Sequence, residues 1–317
     1  MLYLSKNEIE KVITIKEVID GVKKAFSMNE RGLIITPLRT SIPAKNGTLL
    51  FMPAYCEELG LAVLKNVNVF PNNEALGKTT TPAEIMLIDA TNGYTLAILD
   101  GTYVTQLRTG AASGAAFDVL AKKECKIGAL IGTGGQAEAQ LDAMLAARKL
   151  EDVYVYSVHK DKCEEFVEKM RYKYNDVNFH CCNSSQECVK DADLIITVTT
   201  SEKPVFDGSL AKKGATISCV GNYEPNKHEI DPALIVKADK IYCDSKDAVL
   251  SESGDLLIPI NMGLIKKEKI SGGLGEVING TLIGRENDDE IIVFKTVGIA
   301  AQDLITSAII YKNINNN

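Results

Sequence analysis

Basic charge is outnumbered in this sequence. Its 35 Lys and Arg stand against 42 Asp and Glu, for a net charge of -7. That balance argues against a nucleic-acid or anionic-membrane surface and leaves room only for a local basic patch. No apolar run approaches the length of a membrane span. Met1–Glu8 has no basic stretch ahead of an apolar core, so no signal peptide is expected. The eight cysteines are scattered and include no Cys-x-x-Cys pair. A chain this long needs no disulfide framework, so reduced thiols in a cytoplasm are the expectation. Cys181, Cys182 and Cys188 with His180 match no standard zinc spacing, and the three histidines form no metal motif. No metal is expected. Internal repeats and low-complexity linkers are absent as well.

What is present is ordinary globular composition, 45% hydrophobic and 24% charged, over 317 residues. That length suits two domains. The most informative stretch is Ala129-Leu130-Ile131-Gly132-Thr133-Gly134-Gly135-Gln136-Ala137-Glu138. Ile127 to Ile131 reads as a buried strand. Ala137, Leu141, Met144 and Leu145 then fall at helical spacing. Strand, Gly-x-Gly-x-x-Ala and helix is the order of a dinucleotide-binding turn. Gly132 permits the sharp turn, Gly134 lets a pyrophosphate approach the backbone, and Ala137 keeps the helix close to the sheet. Glycine turns between strand and helix are common, but here a second strand, Val153 to Tyr156, follows in register.

Before that turn the chain reads as an antiparallel sheet with one or two helices. Thr14-x-x-Glu17 is a capping box ahead of an amphipathic helix with Val18, Val22, Ala25 and Phe26 on one face. Strands are expected at Pro37–Ile42, Thr48–Pro53, Leu61–Phe70, Ala83–Asp89 and Thr95–Leu99, with Asn92-Gly93 marking a hairpin. Thr102 to Ala121 is a helix of small residues, with Arg108 and Thr109 as anion donors near its start. After the turn, strands at Val177–His180, Leu194–Val198, Thr216–Val220, Lys240–Cys243 and Glu290–Lys295 are expected. Helices are expected at Glu138–Arg148 and Lys162–Lys173. Such alternation implies a parallel, doubly wound sheet, with ligands at the carboxyl ends of its strands. Thr197, Val198 and Thr199 close one of those strands. The Asn-rich end, Asn313 to Asn317, is expected to be frayed.

The second strand bears on the choice of cofactor. An NAD site usually places a carboxylate at its end for the ribose 2′-OH. Here Ser157, Val158, His159 and Lys160 follow Tyr156, and Ser157, His159 and Lys160 suit a 2′-phosphate instead. NADP(H) is favoured, with NAD(H) as the alternative. The competing reading of Lys160 is the start of a solvated helix.

The chain resembles the ornithine cyclodeaminase/mu-crystallin family almost end to end. The matching stretches are Pro37-Leu38-Arg39, Met52-Pro53, Leu64-Lys65, Pro71-Asn72, Leu107 to Ala112, the Gly132 turn, Val220-Gly221-Asn222-Tyr223, Glu229-Ile230-Asp231, Glu252 to Asp255, Leu274-Gly275-Glu276, and Phe294 to Ala300 with Asp303. The resemblance implies a Rossmann doubly wound parallel sheet at residues 119–295. It also implies a discontinuous α+β substrate and dimerisation domain at 1–118, to which a C-terminal helix at 296–317 returns, and a homodimer. It places Arg39, Lys65, Arg108 and Val297 at the substrate. At the cofactor it places Thr80, Arg108, Thr109, Gly135, Gln136, Ser157, Val198 and Lys227, beside Gly132, Gly134, Ala137, Thr197 and Thr199 of the turn and strand end.

The chemistry of the residues agrees. Arginines and a lysine from an otherwise apolar sheet suit a small carboxylate, which arginine grips bidentately. A surface salt bridge is the bland reading of each cation. It is weakest for Lys65, which lies in an apolar β-run where an unpaired charge is costly.

Three functions follow from the resemblance: an NAD(P)H-dependent reductase of cyclic ketimines or amino-acid dehydrogenase, an ornithine cyclodeaminase with catalytic NAD+, and a non-catalytic binding protein. Lys65, Arg108 and Tyr223 are the expected catalytic residues. Tyr223 stands where ornithine cyclodeaminases carry an aspartate. A phenol with a pKa near ~10 is a poorer base than a carboxylate, which favours the reductase.

Overall fold

The structure is a computed structural model and describes Met1–Asn316. The chain divides into two compact units, Met1–Arg108 with Gly298–Asn317, and Thr109–Val297. The first division falls at Arg108 rather than at residue 118, inside the helix Gly101–Leu120.

The first unit is built on a six-stranded sheet of β1 (Leu2–Leu4), β2 (Thr40–Ala44), β3 (Gly47–Cys56), β4 (Leu61–Val69), β5 (Ala83–Asp89) and β6 (Thr95–Asp100). Their order is β1-β6-β5-β4-β3-β2. The sheet is mixed rather than purely antiparallel, because β1, a strand of only three residues, pairs with β6 in parallel. Pro37 to Arg39 lie outside β2, which begins at Thr40. Glu17 closes the capping box on Thr14, with the Thr14 N–H donating to Glu17 Oε2 at 2.8 Å. The helix that follows, Ile15–Glu30, buries Val18, Ile19, Val22, Ala25 and Phe26. It packs on the last helix, Ala300–Asn316. The two helices come close at Gly21, where a Cβ would lie 2.5 Å from Ile309 Cδ1. The last helix also packs on β3, β4 and β5. It stays helical through Asn316, so the asparagines from Asn313 are not frayed, and Asn317 lies outside the described residues.

The second unit is α/β, with eight parallel strands: β7 (Ile127–Ile131), β8 (Asp152–Tyr156), β9 (Asn178–Cys181), β10 (Leu194–Thr197), β11 (Thr216–Cys219), β12 (Lys240–Cys243), β13 (Ile270–Gly273) and β14 (Ile292–Lys295). The order is β13-β12-β14-β11-β10-β7-β8-β9. Read from β9, the first six strands follow the doubly wound Rossmann order, and β12 and β13 extend it. The order reverses between β7 and β10, so their carboxyl ends form the topological switch point where ligands of such sheets bind. β10 and β11 are buried at every position, as strands covered on both faces must be. The helices Ala137–Ala147 and Lys160–Lys173 follow β7 and β8.

Candidate functional site

In the first unit, Lys65 sits at the middle of β4, where alternation sends Val63, Lys65 and Val67 to the same buried face. Its exposure is 0%, so an ammonium occupies a core position. Nζ lies 2.7 Å from Asp303 Oδ2, and Asp303 is also fully buried, in the first turn of the last helix. The contact is close but misaligned, so Lys65 Nζ makes no directed hydrogen bond. The other Asp303 oxygen accepts from Arg108 Nε at 3.1 Å. Gln302 Oε1 lies 3.4 Å from Arg108 Nη1, and Gln302 Nε2 donates to the Arg108 carbonyl. Arg39 is half-buried and donates through Nη2 to the Gly298 carbonyl at 2.9 Å. Gly298 has φ +80, and a Cβ there would lie 2.5 Å from Arg108 Nη1, so glycine makes room for the guanidinium. The three expected anchors thus lie near one another, Lys65 and Arg108 on the Asp303 carboxylate and Arg39 on the Gly298 carbonyl. Burial pushes the Lys65 ammonium down to about 7, with Arg108 and Arg39 adding to the shift and Asp303 opposing it. Two buried cations, Lys65 and Arg108, share the one Asp303 carboxylate, and an anionic ligand would balance the remaining positive charge. Thr80 belongs to this unit too, where its carbonyl accepts the Phe70 N–H.

The second unit holds the glycine turn. Gly132 has φ +107, and its N–H donates to the Tyr156 carbonyl at 2.9 Å. A Cβ there would lie 2.6 Å from the Val198 carbonyl, so only glycine fits where β7 and β10 end. A Cβ at Gly134 would meet nothing within 4 Å, which leaves open space over the backbone. The Gln136 amide oxygen is buried without a partner, and the helix from Ala137 offers its N-terminal N–H groups. These features fit a dinucleotide pyrophosphate. Gly110 permits the helix 101–120 to touch the Ala139 carbonyl. Ser113 there meets Gln140 Oε1 at 2.6 Å and Ser218 Oγ at 2.7 Å, which ties helix, helix and β11 together.

Past β8, Ser157 is half-buried, and His159 and Lys160 are exposed. Ser157 Oγ accepts the His159 N–H at 3.3 Å, and Lys160 Nζ reaches Asn183 Oδ1 at 3.3 Å. Thr109 is half-buried at the start of this unit. Thr197 and Thr199 direct their hydroxyls to Glu229, and the Thr199 N–H points there as well. Lys227 is held by Glu224 at 3.0 Å and Glu202 at 3.2 Å. Tyr223 is half-buried next to Asn222, and Val297 donates its N–H to Asp244 Oδ2 at 2.9 Å. None of the eight cysteines forms a disulfide among the described residues.

Sequence reasoning did not single out Asp303, Gln302, Glu229, Asp255 and Lys295 as site residues. A signal was there for Asp303: it falls in a helix whose other core positions are Ala301, Leu304 and Ile305. A carboxylate on a buried stripe needs a cation. Lys295 ends the apolar run from Ile291 to Phe294, as Lys65 interrupts its own.

Comparison with known proteins identifies the family. The chain is 38% identical over 314 residues to a Delta(1)-pyrroline-2-carboxylate reductase of Bacillus cereus, covering 98% of this chain and 96% of that one. It is 32% identical over 288 residues to the ketimine reductase mu-crystallin of Mus musculus, covering 90% and 87%. The structure of Thermococcus litoralis Delta(1)-pyrroline-2-carboxylate reductase in complex with NADH and L-proline superposes with a TM-score of 0.96. It is 38% identical and is matched over 100% of this chain and 98% of that chain. An archaeal alanine dehydrogenase dimer with bound NAD gives a TM-score of 0.93 at 32% identity, with 100% and 96% covered. The family model matches residues 1–317, and the chain belongs to the ornithine cyclodeaminase/mu-crystallin family.

Proposed function

We propose that this protein is an NAD(P)H-dependent reductase of small cyclic ketimines, converting 1-pyrroline-2-carboxylate to proline or 1-piperideine-2-carboxylate to pipecolate. The observation that carries the reading is the buried pair of cations, Lys65 and Arg108, on the carboxylate of Asp303, with Arg39 close by. The two guanidiniums hold and orient the substrate carboxylate, which fixes the imine carbon in place. Lys65 completes the charge balance. With its ammonium near 7, Nζ can hold a proton toward the substrate or release one at neutral pH. The dinucleotide, when bound, supplies the hydride. Relatives at 38% identity that carry the reductase name support this assignment over the alanine dehydrogenase at 32%. Tyr223, where ornithine cyclodeaminases carry an aspartate, supports it over cyclisation.

NADP(H) is the proposed cofactor, on the basis of Ser157, His159 and Lys160 at the end of β8 and no carboxylate among residues 157–160. A homodimer is proposed from the outer face of the six-stranded sheet. Phe51, Pro53, Tyr55, Met86 and Ile88 are only half-buried there, and Leu64 and Ile42 are exposed. A cytoplasmic setting fits eight cysteines that form no disulfide among the described residues. One assay panel tests the function: purified protein with NADH or NADPH, the two cyclic ketimines, and ornithine, lysine and alanine. Net cofactor oxidation with a ketimine is the expected result. Proline and ammonia from ornithine with no net cofactor change would replace the reductase by a cyclodeaminase.

A further inference from the structure

Glu229, Asp255 and Lys295 meet in the interior of the second unit, at 0%, 1% and 0% exposure. Two acids and one lysine in a dry interior are costly unless each is fully bonded. Each is. Asp255 Oδ1 accepts the backbone N–H of Glu229 at 2.7 Å and of Ile230 at 3.1 Å. Its Oδ2 accepts from Lys295 Nζ at 2.6 Å, and Nζ also donates to the Asn222 carbonyl at 2.6 Å. Glu229, fixed in this way, turns its carboxylate to the ends of β10 and β11. Oε1 accepts the Thr199 N–H and hydroxyl, both at 2.6 Å. Oε2 accepts the Gly221 N–H at 2.7 Å and faces the Thr197 hydroxyl at 3.4 Å. Gly221 must be glycine, because a Cβ would strike both Glu229 and the Thr199 carbonyl.

We infer that Glu229 is a positioning residue for the nicotinamide half of the bound dinucleotide, holding the carboxyl ends of β10 and β11 in the conformation that half requires. The inference rests on reading the Gly132 turn as a dinucleotide cradle. In such a sheet the adenosine ribose lies at the end of the second strand, here β8, and the pyrophosphate lies at the turn after β7. The order β8-β7-β10-β11 puts the ends of β10 and β11 on the other side of the turn from the adenosine. An ionised carboxylate is acceptor-only, with about four lone-pair sites, and donors address all of them here. A proton on either oxygen would face a backbone N–H that needs an acceptor. Burial and Asp255 push Glu229 up to about 7, while Lys295 and Thr199 oppose the shift, and Cys219 is the other titratable group beside it. Acid therefore loosens the same loops that a glutamine would loosen.

The test compares NADH with ADP-ribose, which lacks the nicotinamide. NADH binding is measured by fluorescence titration and ADP-ribose binding by calorimetry, for the unmodified protein, Glu229→Gln and Thr199→Val. Glu229→Gln should weaken NADH about tenfold, as loss of a charged hydrogen bond does, and leave ADP-ribose within about twofold. The unmodified protein should lose NADH affinity from pH 8 to pH 6 relative to ADP-ribose, and the variant should show no such relative loss. A change at the adenosine end of the site would move both ligands together. If Glu229→Gln does not fold, Thr199→Val decides, with a loss of about threefold for NADH alone. Equal weakening of both ligands, or none, overturns the inference while the dinucleotide reading stands. Failure of the unmodified protein to bind either ligand removes the dinucleotide reading and this inference with it.

Discussion

Two buried lysines separate the two units by chemistry. Lys65 and Lys295 both have 0% exposure, and both end up beside an aspartate at hydrogen-bond distance. Lys65 nevertheless shares its one acid with Arg108, has Arg39 nearby, and makes no directed hydrogen bond. Lys295 faces two acids, Asp255 and Glu229, and donates to Asp255 and to the Asn222 carbonyl. The first ammonium is pushed down to about 7. The second is pushed up, because its attractive neighbours outweigh its desolvation. A buried lysine is therefore not by itself a sign of function. The local sum of charge decides whether it waits for an anion or is already satisfied within the fold.

Breaking the satisfied cluster should have the largest effect on the fold. Lys295→Met leaves Asp255 and Glu229 as two buried acids with no cation. Loss of one partner of a buried pair costs about 3–5 kcal/mol. Thermal unfolding should shift down by roughly 10 °C. An unchanged melting temperature would show that the cluster is not what holds β14 to the start of the helix Gly254–Asn261.

Removing the acid of the other cluster should be read out in pH dependence. The Lys65 ammonium is held near 7 against the ~10.4 of an exposed lysine. If its proton is needed to receive the carboxylate, kcat/KM falls as pH rises through about 7. In Asp303→Asn the attractive charge is gone while Arg108 and Arg39 remain. The ammonium should lose its proton at still lower pH, so the alkaline limb of kcat/KM should move toward acid. A limb that stays in place would remove Lys65 from the titration.

The smallest expected effect is at the exposed end of β8. Lys160→Ala should weaken NADPH by several-fold, up to about tenfold, and leave NADH almost unchanged. Parallel binding titrations check this. Equal loss for both cofactors would return Lys160 to a solvated helix start.

Much of this was legible in the sequence for local reasons. β5, β7 and β12 begin and end where apolar alternation and turn residues place them, and Lys65 stood out as a charge in an apolar strand. β13 was not legible, because Ile270-Ser271-Gly272-Gly273 carries two glycines and no alternation. β1 has only three residues and is a strand because β6 offers it an edge. Asp303 was matched only as part of a family motif, since its partner Arg108 lies 195 residues away in the chain. Glu229 was hidden for the same reason: the donors it collects come from the ends of two other strands. Charge balance is a property of the folded cluster, and no window of sequence contains it.

The central claim is that the Lys65 cluster is short of an anion that the substrate supplies. Its most direct test is Lys65→Met, assayed with 1-pyrroline-2-carboxylate and NAD(P)H, alongside cofactor titration and thermal unfolding. The account predicts a loss of kcat/KM of roughly 100-fold or more, set by a charged contact and a proton at the reacting centre. Cofactor affinity should be retained, and the melting temperature should not fall, because Asp303 keeps Arg108. A variant that reduces the ketimine as efficiently as the unmodified protein would contradict the account.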